Sequence, residues 1–196
     1  MPPRLVAIGL LVLMAGCAPS LTLTDGTSAR TWGDGAYGVV VVPDADRGAA
    51  SWEPIGSAWA EEGMTVLAVE EPIADAVLGG IRHLHEAGVE RVAVLGAGAG
   101  AEPAMAVGRE QPDLVDQLIV VSARGSAEGL GVFPKLFVAS EGEPAAADAT
   151  RMAAESPGDW NALYLASGDA SGQAILEGDA AAATLEAILL RLEERR

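Results

Sequence analysis

The chain has 196 residues, of which 12 are Lys or Arg and 28 are Asp or Glu, for a formal charge of −16 at pH 7. That balance excludes a nucleic-acid binder, which needs a basic footprint to displace counterions from phosphate. A composition that is 50% hydrophobic and 20% charged also excludes a disordered acidic tail, and the length suits one domain rather than two.

The first segment differs from the rest. Arg4 is its only charge, Leu5 to Met14 is an apolar run, and Ala15-Gly16 precedes Cys17. This is the layout of a secretory leader with small residues at the cleavage point, and the run is too short to span a bilayer, which takes about 20 apolar residues. Cys17 is the sole cysteine, so an intramolecular disulfide or a multi-thiolate metal site is impossible. The segment Leu13-Met14-Ala15-Gly16-Cys17 resembles a bacterial lipobox, with Met14 where Leu is usual. The resemblance implies a signal peptide over 1–16, diacylation of Cys17 and a tether over 17–20. It also implies that the mature chain sits on an extracytoplasmic membrane face of a bacterial cell envelope. Two acyl chains hold a protein stably where one does not. Loss of Arg4 with the leader makes the mature body one unit more negative, and anionic headgroups repel it.

From residue 21 to 196 the pattern is that of one α/β domain. Leu21 to Thr24 and Thr27 to Trp32 read as strands of an opening hairpin joined at Asp25-Gly26. Next come a strand at Tyr37 to Val42, a helix at Ala50 to Glu61 and a strand at Met64 to Val69. A helix from Ile73 to Ala87, a strand Arg91 to Leu95, a helix from Glu102 to Glu110 and a strand Leu118 to Val121 follow. The chain closes with a strand Lys135 to Ala139, a helix Ala145 to Glu155, a strand Ala162 to Ala166 and a helix Ala180 to Arg195. Continuous valine-rich runs suit strands covered on both faces. The predicted architecture is therefore a three-layer sandwich around a mostly parallel sheet, without an inserted lid.

In such a sheet chemistry sits where loops leave the carboxyl ends of the strands. After the central strand the chain reads Gly96-Ala97-Gly98-Ala99-Gly100-Ala101-Glu102-Pro103. One reading is the sharp strand-to-helix turn G-x-S-x-G, with Gly98 where the nucleophile stands. Another is the G-x-G-x-x-A dinucleotide fingerprint of Gly96, Gly98 and Ala101, which would need Arg124 to take an NADP phosphate. A third is a tight turn without a ligand.

The order of parts from Leu21 onward resembles the α/β-hydrolase fold family in a small, lidless form. The loop Pro43-Asp44-Ala45-Asp46-Arg47-Gly48 follows the strand Tyr37 to Val42, and Ser51-Trp52 begins the next helix. After the glycine turn come Phe137-Val138-Ala139-Ser140-Glu141-Gly142-Glu143-Pro144 and Leu165-Ala166-Ser167-Gly168-Asp169-Ala170-Ser171-Gly172. By that resemblance Pro43 and Asp44 hold the oxyanion-loop position and Gly96 to Gly100 form the nucleophile elbow. Glu143 stands at the catalytic acid and Ser171 at the catalytic histidine.

The departures govern the expected function. Acyl transfer here needs a nucleophile, a base and an acid to orient it. Gly98 has no side chain, Ser171 is no base near neutral pH, and the only histidines, His83 and His85, lie on the helix before the central strand and face different ways. What is left is a pocket whose backbone N–H groups can donate to a bound anion. The expected protein is a degenerate-triad, non-catalytic binder without a cofactor or metal, whose partners are the membrane through Cys17 and a small ligand or a basic protein. On this reading Gly98→Ser together with Ser171→His restores labelling by activated-serine probes. Two alternatives stay open: an esterase-like enzyme with its serine relocated to Ser122, Ser140, Ser167 or Ser171, and a dinucleotide fold binding NADP at Gly96-Ala97-Gly98. The acidic residues Asp44, Asp46, Glu70, Glu71, Glu141, Glu143 and Asp169 all follow predicted strand ends. They read either as a solubilising rim or as oxygen ligands for a hard cation.

Overall fold

The computed structural model describes residues 20–24, 26–178 and 181–194. The leader 1–16, Cys17, the tether up to residue 19, Asp25 of the hairpin turn, Ala180 and Arg195 lie outside the described residues. The strands are β1 (Ser20–Thr22), β2 (Ser28–Trp32), β3 (Tyr37–Val42), β4 (Met64–Val69), β5 (Arg91–Ala97), β6 (Gln117–Val121), β7 (Lys135–Ser140) and β8 (Asn161–Ala166). The helices are α1 (Glu53–Glu61), α2 (Ala74–Glu86), α3 (Ala101–Glu110), α4 (Ala146–Glu155) and α5 (Ala181–Glu193).

All eight strands join one sheet in the order β1-β2-β4-β3-β5-β6-β7-β8. β1 and β2 enter antiparallel, and every later pairing is parallel. Successive strand residues point to opposite faces, and the two cores divide accordingly. Val40, Val42, Val92, Val94, Leu118, Val120 and Phe137 pack under α2, α3 and α4. Val39, Val41, Ala93, Leu95, Ile119, Val121 and Val138 pack under Trp52, α1 and α5. Burial on both sides explains why β3 to β7 are built mostly of apolar residues. This is the three-layer, mostly parallel sandwich predicted above. Among the described residues no helix is long and apolar enough to cross a membrane.

Several element ends differ from the expectation. The predicted helix Ala50 to Glu61 is a 3-10 turn over Ala49–Trp52 followed by α1, with Pro54 in the first α-helical turn, where its missing N–H costs nothing. β1 stops at Thr22 and β5 runs on to Ala97. A 3-10 turn over Gly172–Leu176 occupies a stretch with no regular period.

One buried charge was not anticipated. Lys135, the first residue of β7, is fully buried, and its ammonium donates to the carbonyls of Phe133 and Pro157, both at 2.7 Å, and to Asn161 Oδ1 at 3.4 Å. Asn161 in turn donates from Nδ2 to the carbonyls of Ser156 and Gly158. Together they fasten the α4–β8 connection against the amino end of the sheet. Burial without a carboxylate partner lowers the Lys135 pKa to about 8.

Candidate functional site

The sheet reverses its winding between β3 and β5. From β3 the chain crosses to β4 on one side and then returns to place β5 on the other, so the loops after β3 and β5 part at a switch point, where open α/β sheets form their crevice. Register brings particular residues there. Val42 pairs with Gly96 and Ala97 with Val121, so Asp44, Gly98 and Ser122 emerge side by side within two residues of paired positions. Ser140 pairs with Ala166, which sets the loops carrying Glu143 and Ser171 along the same edge. A cavity of about 350 Å3 opens among them, lined by Asp44, Gly98, Ser122, Arg124, Glu143, Pro144, Ala145, Ser171 and Gly172.

The turn after β5 is as tight as its glycines permit. Gly98 has φ +54°, the left-handed region that glycine enters freely. A Cβ on Gly96 would lie 2.2 Å from the carbonyl oxygen of Gly100, and one on Gly100 would lie 2.5 Å from that of Val42. These backbone approaches leave no room for a side chain, so both glycines are needed to hold the turn against β3. Pro43 contributes its carbonyl oxygen to the same contact, 2.6 Å from the Gly100 Cβ position.

The space above Gly98 is filled. Asp44 Oδ1 accepts from its neighbour Ala45 N at 2.8 Å and from Ala99 N at 2.9 Å. Its other oxygen lies 3.4 Å from the backbone N of Gln173. A Cβ on Gly98 or on Gly172 would each lie 2.0 Å from Asp44 Oδ2. The carboxylate is thus wedged between two glycines from loops some 74 residues apart in sequence, and both are glycine where a carboxylate needs the volume. The expectation that Gly98→Ser and Ser171→His suffice to restore an activated serine is therefore corrected: Asp44 occupies the volume that the new side chain would enter.

The loop bearing Asp44 is held from several sides. Arg47 forms a bidentate pair with Glu177, and the buried Gln173 side chain donates to Ser51 Oγ at 2.9 Å. Glu70 Oε2 accepts from Ala49 N at 3.1 Å. These contacts tie the β3 loop to the segment after β8 and to the end of β4.

Glu143 is buried at 6% exposure. Its Oε1 accepts from Ser140 N and from Ser122 Oγ, both at 2.8 Å, while Ser122 Oγ accepts from Gly172 N at 2.7 Å. Ser122 therefore bridges Glu143 to the loop after β8. It is the one residue other than glycine with a positive φ, 56°, among the described residues, a strained conformation for a side-chain-bearing residue. Ser171 is exposed at the cavity's edge and Arg124 is exposed at its mouth.

The histidines lie elsewhere. Both sit on α2; His85 Nδ1 contacts the Val89 carbonyl at 2.8 Å, and His83 lines a separate cavity with Asp34 and Val89. The carboxylates that follow strand ends do not form a cation site: among the described residues no three His, Cys, Asp or Glu side chains converge as ligands. Asp44, Glu70 and Glu143 are instead engaged with backbone N–H groups, which corrects the oxygen-ligand reading of the rim.

Sequence reasoning placed Asp44, Gly98, Glu143 and Ser171 near one another but missed the wedge itself, the Gln173 and Arg47–Glu177 ties, and the role of Ser122. The available signal was the pair Gly98 and Gly172, two bare positions facing one space, which implies that a third loop supplies a side chain.

No protein-family model and no curated protein sequence matches the chain. Solved structures do. A CIB-like hydrolase from Thermoplasma acidophilum superposes with a TM-score of 0.71 at 15% identity, over 90% of this chain and 98% of that one. A monoacylglycerol lipase from Paleococcus ferrophilus gives 0.71 at 11%, over 86% and 98%. The carboxylesterase EstE1 from a metagenomic library gives 0.72 at 13%, over 90% and 87%. At such identities the likeness establishes the fold alone: the chain has the α/β-hydrolase fold, and the dinucleotide alternative is set aside with the sheet order that it would require.

Proposed function

We propose that this α/β-hydrolase-fold chain is a lipid-anchored, extracytoplasmic protein that does not turn over substrate and acts by binding a small ligand or a basic partner. The observation that carries the non-catalytic part is the Asp44 carboxylate seated over Gly98, the turn where this fold presents its nucleophile. The position that the family resemblance assigns to the histidine holds Ser171, and the two histidines are committed to α2. Without a nucleophile at the elbow or an imidazole beside it, the covalent route is missing two of its members. The cavity of about 350 Å3 is of a size for a small ligand.

The wild-type protein should hydrolyse short p-nitrophenyl esters no faster than buffer and should take up no fluorophosphonate probe. Turnover or site-specific labelling would overturn the non-catalytic reading. A second reading has one observation in its favour: Ser122 combines a positive φ with a hydrogen bond to a buried carboxylate in the same cavity. If Ser122 were a relocated nucleophile, the wild type would label and Ser122→Ala would not. Its oxygen already accepts a hydrogen bond from Gly172 N, which draws electron density away from attack and favours the bridging role.

The anchor rests on the sole cysteine, Cys17, directly after Ala15-Gly16. Expressed in a bacterium, the full chain should fractionate with membranes and Cys17→Ser should be soluble or retain its leader. Equal partitioning of the two would remove the lipid from the reading.

A further inference from the structure

We propose that Asp44 is the chain's own ligand for the anion nest at the elbow, an internal carboxylate that closes the nest to outside anions, and that removing it opens a site for small monocarboxylates. The inference rests on the elbow register used above and goes further by saying what occupies that site. Backbone N–H groups at this turn and on the preceding loop are the donors that catalysis in this fold directs at a developing oxyanion. Here those two donors, Ala99 N and Ala45 N, converge on a single atom, Asp44 Oδ1, at 2.9 and 2.8 Å. A third donor, Gln173 N from the loop after β8, approaches the other oxygen at 3.4 Å.

Three separate loops therefore present N–H groups to one carboxylate, and the surrounding residues accommodate it. Gly98 and Gly172 would each drive a Cβ to 2.0 Å from Oδ2, so neither tolerates a side chain while Asp44 is in place. The loop that delivers Asp44 is pinned by the bidentate Arg47–Glu177 pair and by Glu70 on Ala49 N. Pinned in this way, the carboxylate is preorganised and acts at a very high effective concentration, so a millimolar external anion does not displace it. Shortening the side chain to a methyl group leaves the donors unpaired in a space that formate or acetate fits.

Chemical rescue tests this. Asp44→Ala should melt several degrees below wild type. Sodium formate or acetate at up to about 0.2 M should raise its Tm by roughly 2–4 °C in a saturable manner, with sodium chloride at equal ionic strength lacking the effect. Wild type should show no saturable rise, and Asp44→Asn, whose amide still fills the space, should show none either. Equal responses of wild type and Asp44→Ala to formate, or a melting temperature of Asp44→Ala equal to wild type, would overturn the proposal. A second measurement holds if Asp44→Ala does not fold: in wild type the amide protons of Ala45 and Ala99 should exchange slowly, as donors with an internal acceptor, and exchange at the free-chain rate would overturn it. Failure here leaves an unlabelled wild type and the non-catalytic reading intact, whereas fluorophosphonate labelling of wild type ends that reading without altering the rescue result.

Discussion

Gly98→Ser with Ser171→His will remain unlabelled by fluorophosphonates, and labelling will emerge only when Asp44 is shortened to Ala or Gly in the same molecule. A serine at 98 needs its Cβ where Asp44 Oδ2 lies 2.0 Å away and Asp44 Cγ 2.2 Å away. In the double variant either the serine forces Asp44 off its N–H donors or the turn itself distorts, and a misplaced hydroxyl is not activated. With the carboxylate gone, Ala99 N and Ala45 N become free to donate to the phosphonyl oxygen of the probe. The backbone is no obstacle, because elbow serines are held on a strained turn elsewhere in this fold. The triple variant should label on the order of 10²-fold or more above any background reaction of the double, the scale of restoring an oxyanion donor. Each single change should do little, because nucleophile, base and oxyanion donors act as a unit. One further brake is visible. Ser122 holds Glu143 Oε1, so an imidazole at 171 competes with that hydroxyl for its acid, and Ser122→Gly should raise the rate again. Efficient labelling of the double variant would show that Asp44 yields easily and that the wedge is not an obstacle.

The second large effect is on stability and comes from the opposite end of the sheet. As pH rises from 8 to 10.5 the wild type should gain stability, and Lys135→Met should lose that gain. Burial brings the Lys135 pKa down from 10.5 to about 8, so between these values the unfolded chain holds a proton that the folded chain has released. Stability rises with pH wherever the unfolded state binds more protons. Below pH 8 both states are charged and the desolvation penalty is constant; above 10.5 both are neutral and the gain is complete. At about 1.36 kcal/mol per pKa unit the change amounts to about 3 kcal/mol. Urea denaturation at intervals across this range, with wild type and variant compared at each pH, isolates the lysine because the other titrating groups are common to both. Parallel profiles would show that the ammonium is better solvated than its burial indicates.

The sequence by itself determined the architecture. Valine-rich runs at Tyr37–Val42, Met64–Val69 and Leu118–Val121 mark strands covered on both faces, because a strand with one solvated face alternates apolar with polar residues and these do not. Glycines at 96, 98 and 100 marked the tight turn, since each supplies something that a side chain forbids. The extension of β5 through Ala97 was not legible, because glycine is a poor strand former; the ladder continues there only because β3 and β6 flank it on both sides. Lys135 read only as the first residue of a strand. Its burial depends on the carbonyls of Phe133 and Pro157 folding over it, and backbone acceptors leave no trace in side-chain periodicity.

The candidate site divides along the same line. Residue types and order placed Asp44, Gly98, Glu143 and Ser171 at strand ends, and a strand end is a local property. Which of them touch is a property of three loops meeting at the sheet's switch point, and only the tertiary structure decided it. Asp44 was counted as one of seven rim carboxylates and became the residue that fills the elbow, because the absence of a side chain at Gly98 leaves a volume that the neighbouring loop can occupy. Ser122 was one of four serines of equal standing; its φ of 56° and its bridge from Glu143 to Gly172 follow from strand register, which no spacing in the sequence specifies. The proposed lipid anchor runs the other way: it rests wholly on the order of residues up to Cys17, a pattern along the chain that is independent of how the body folds.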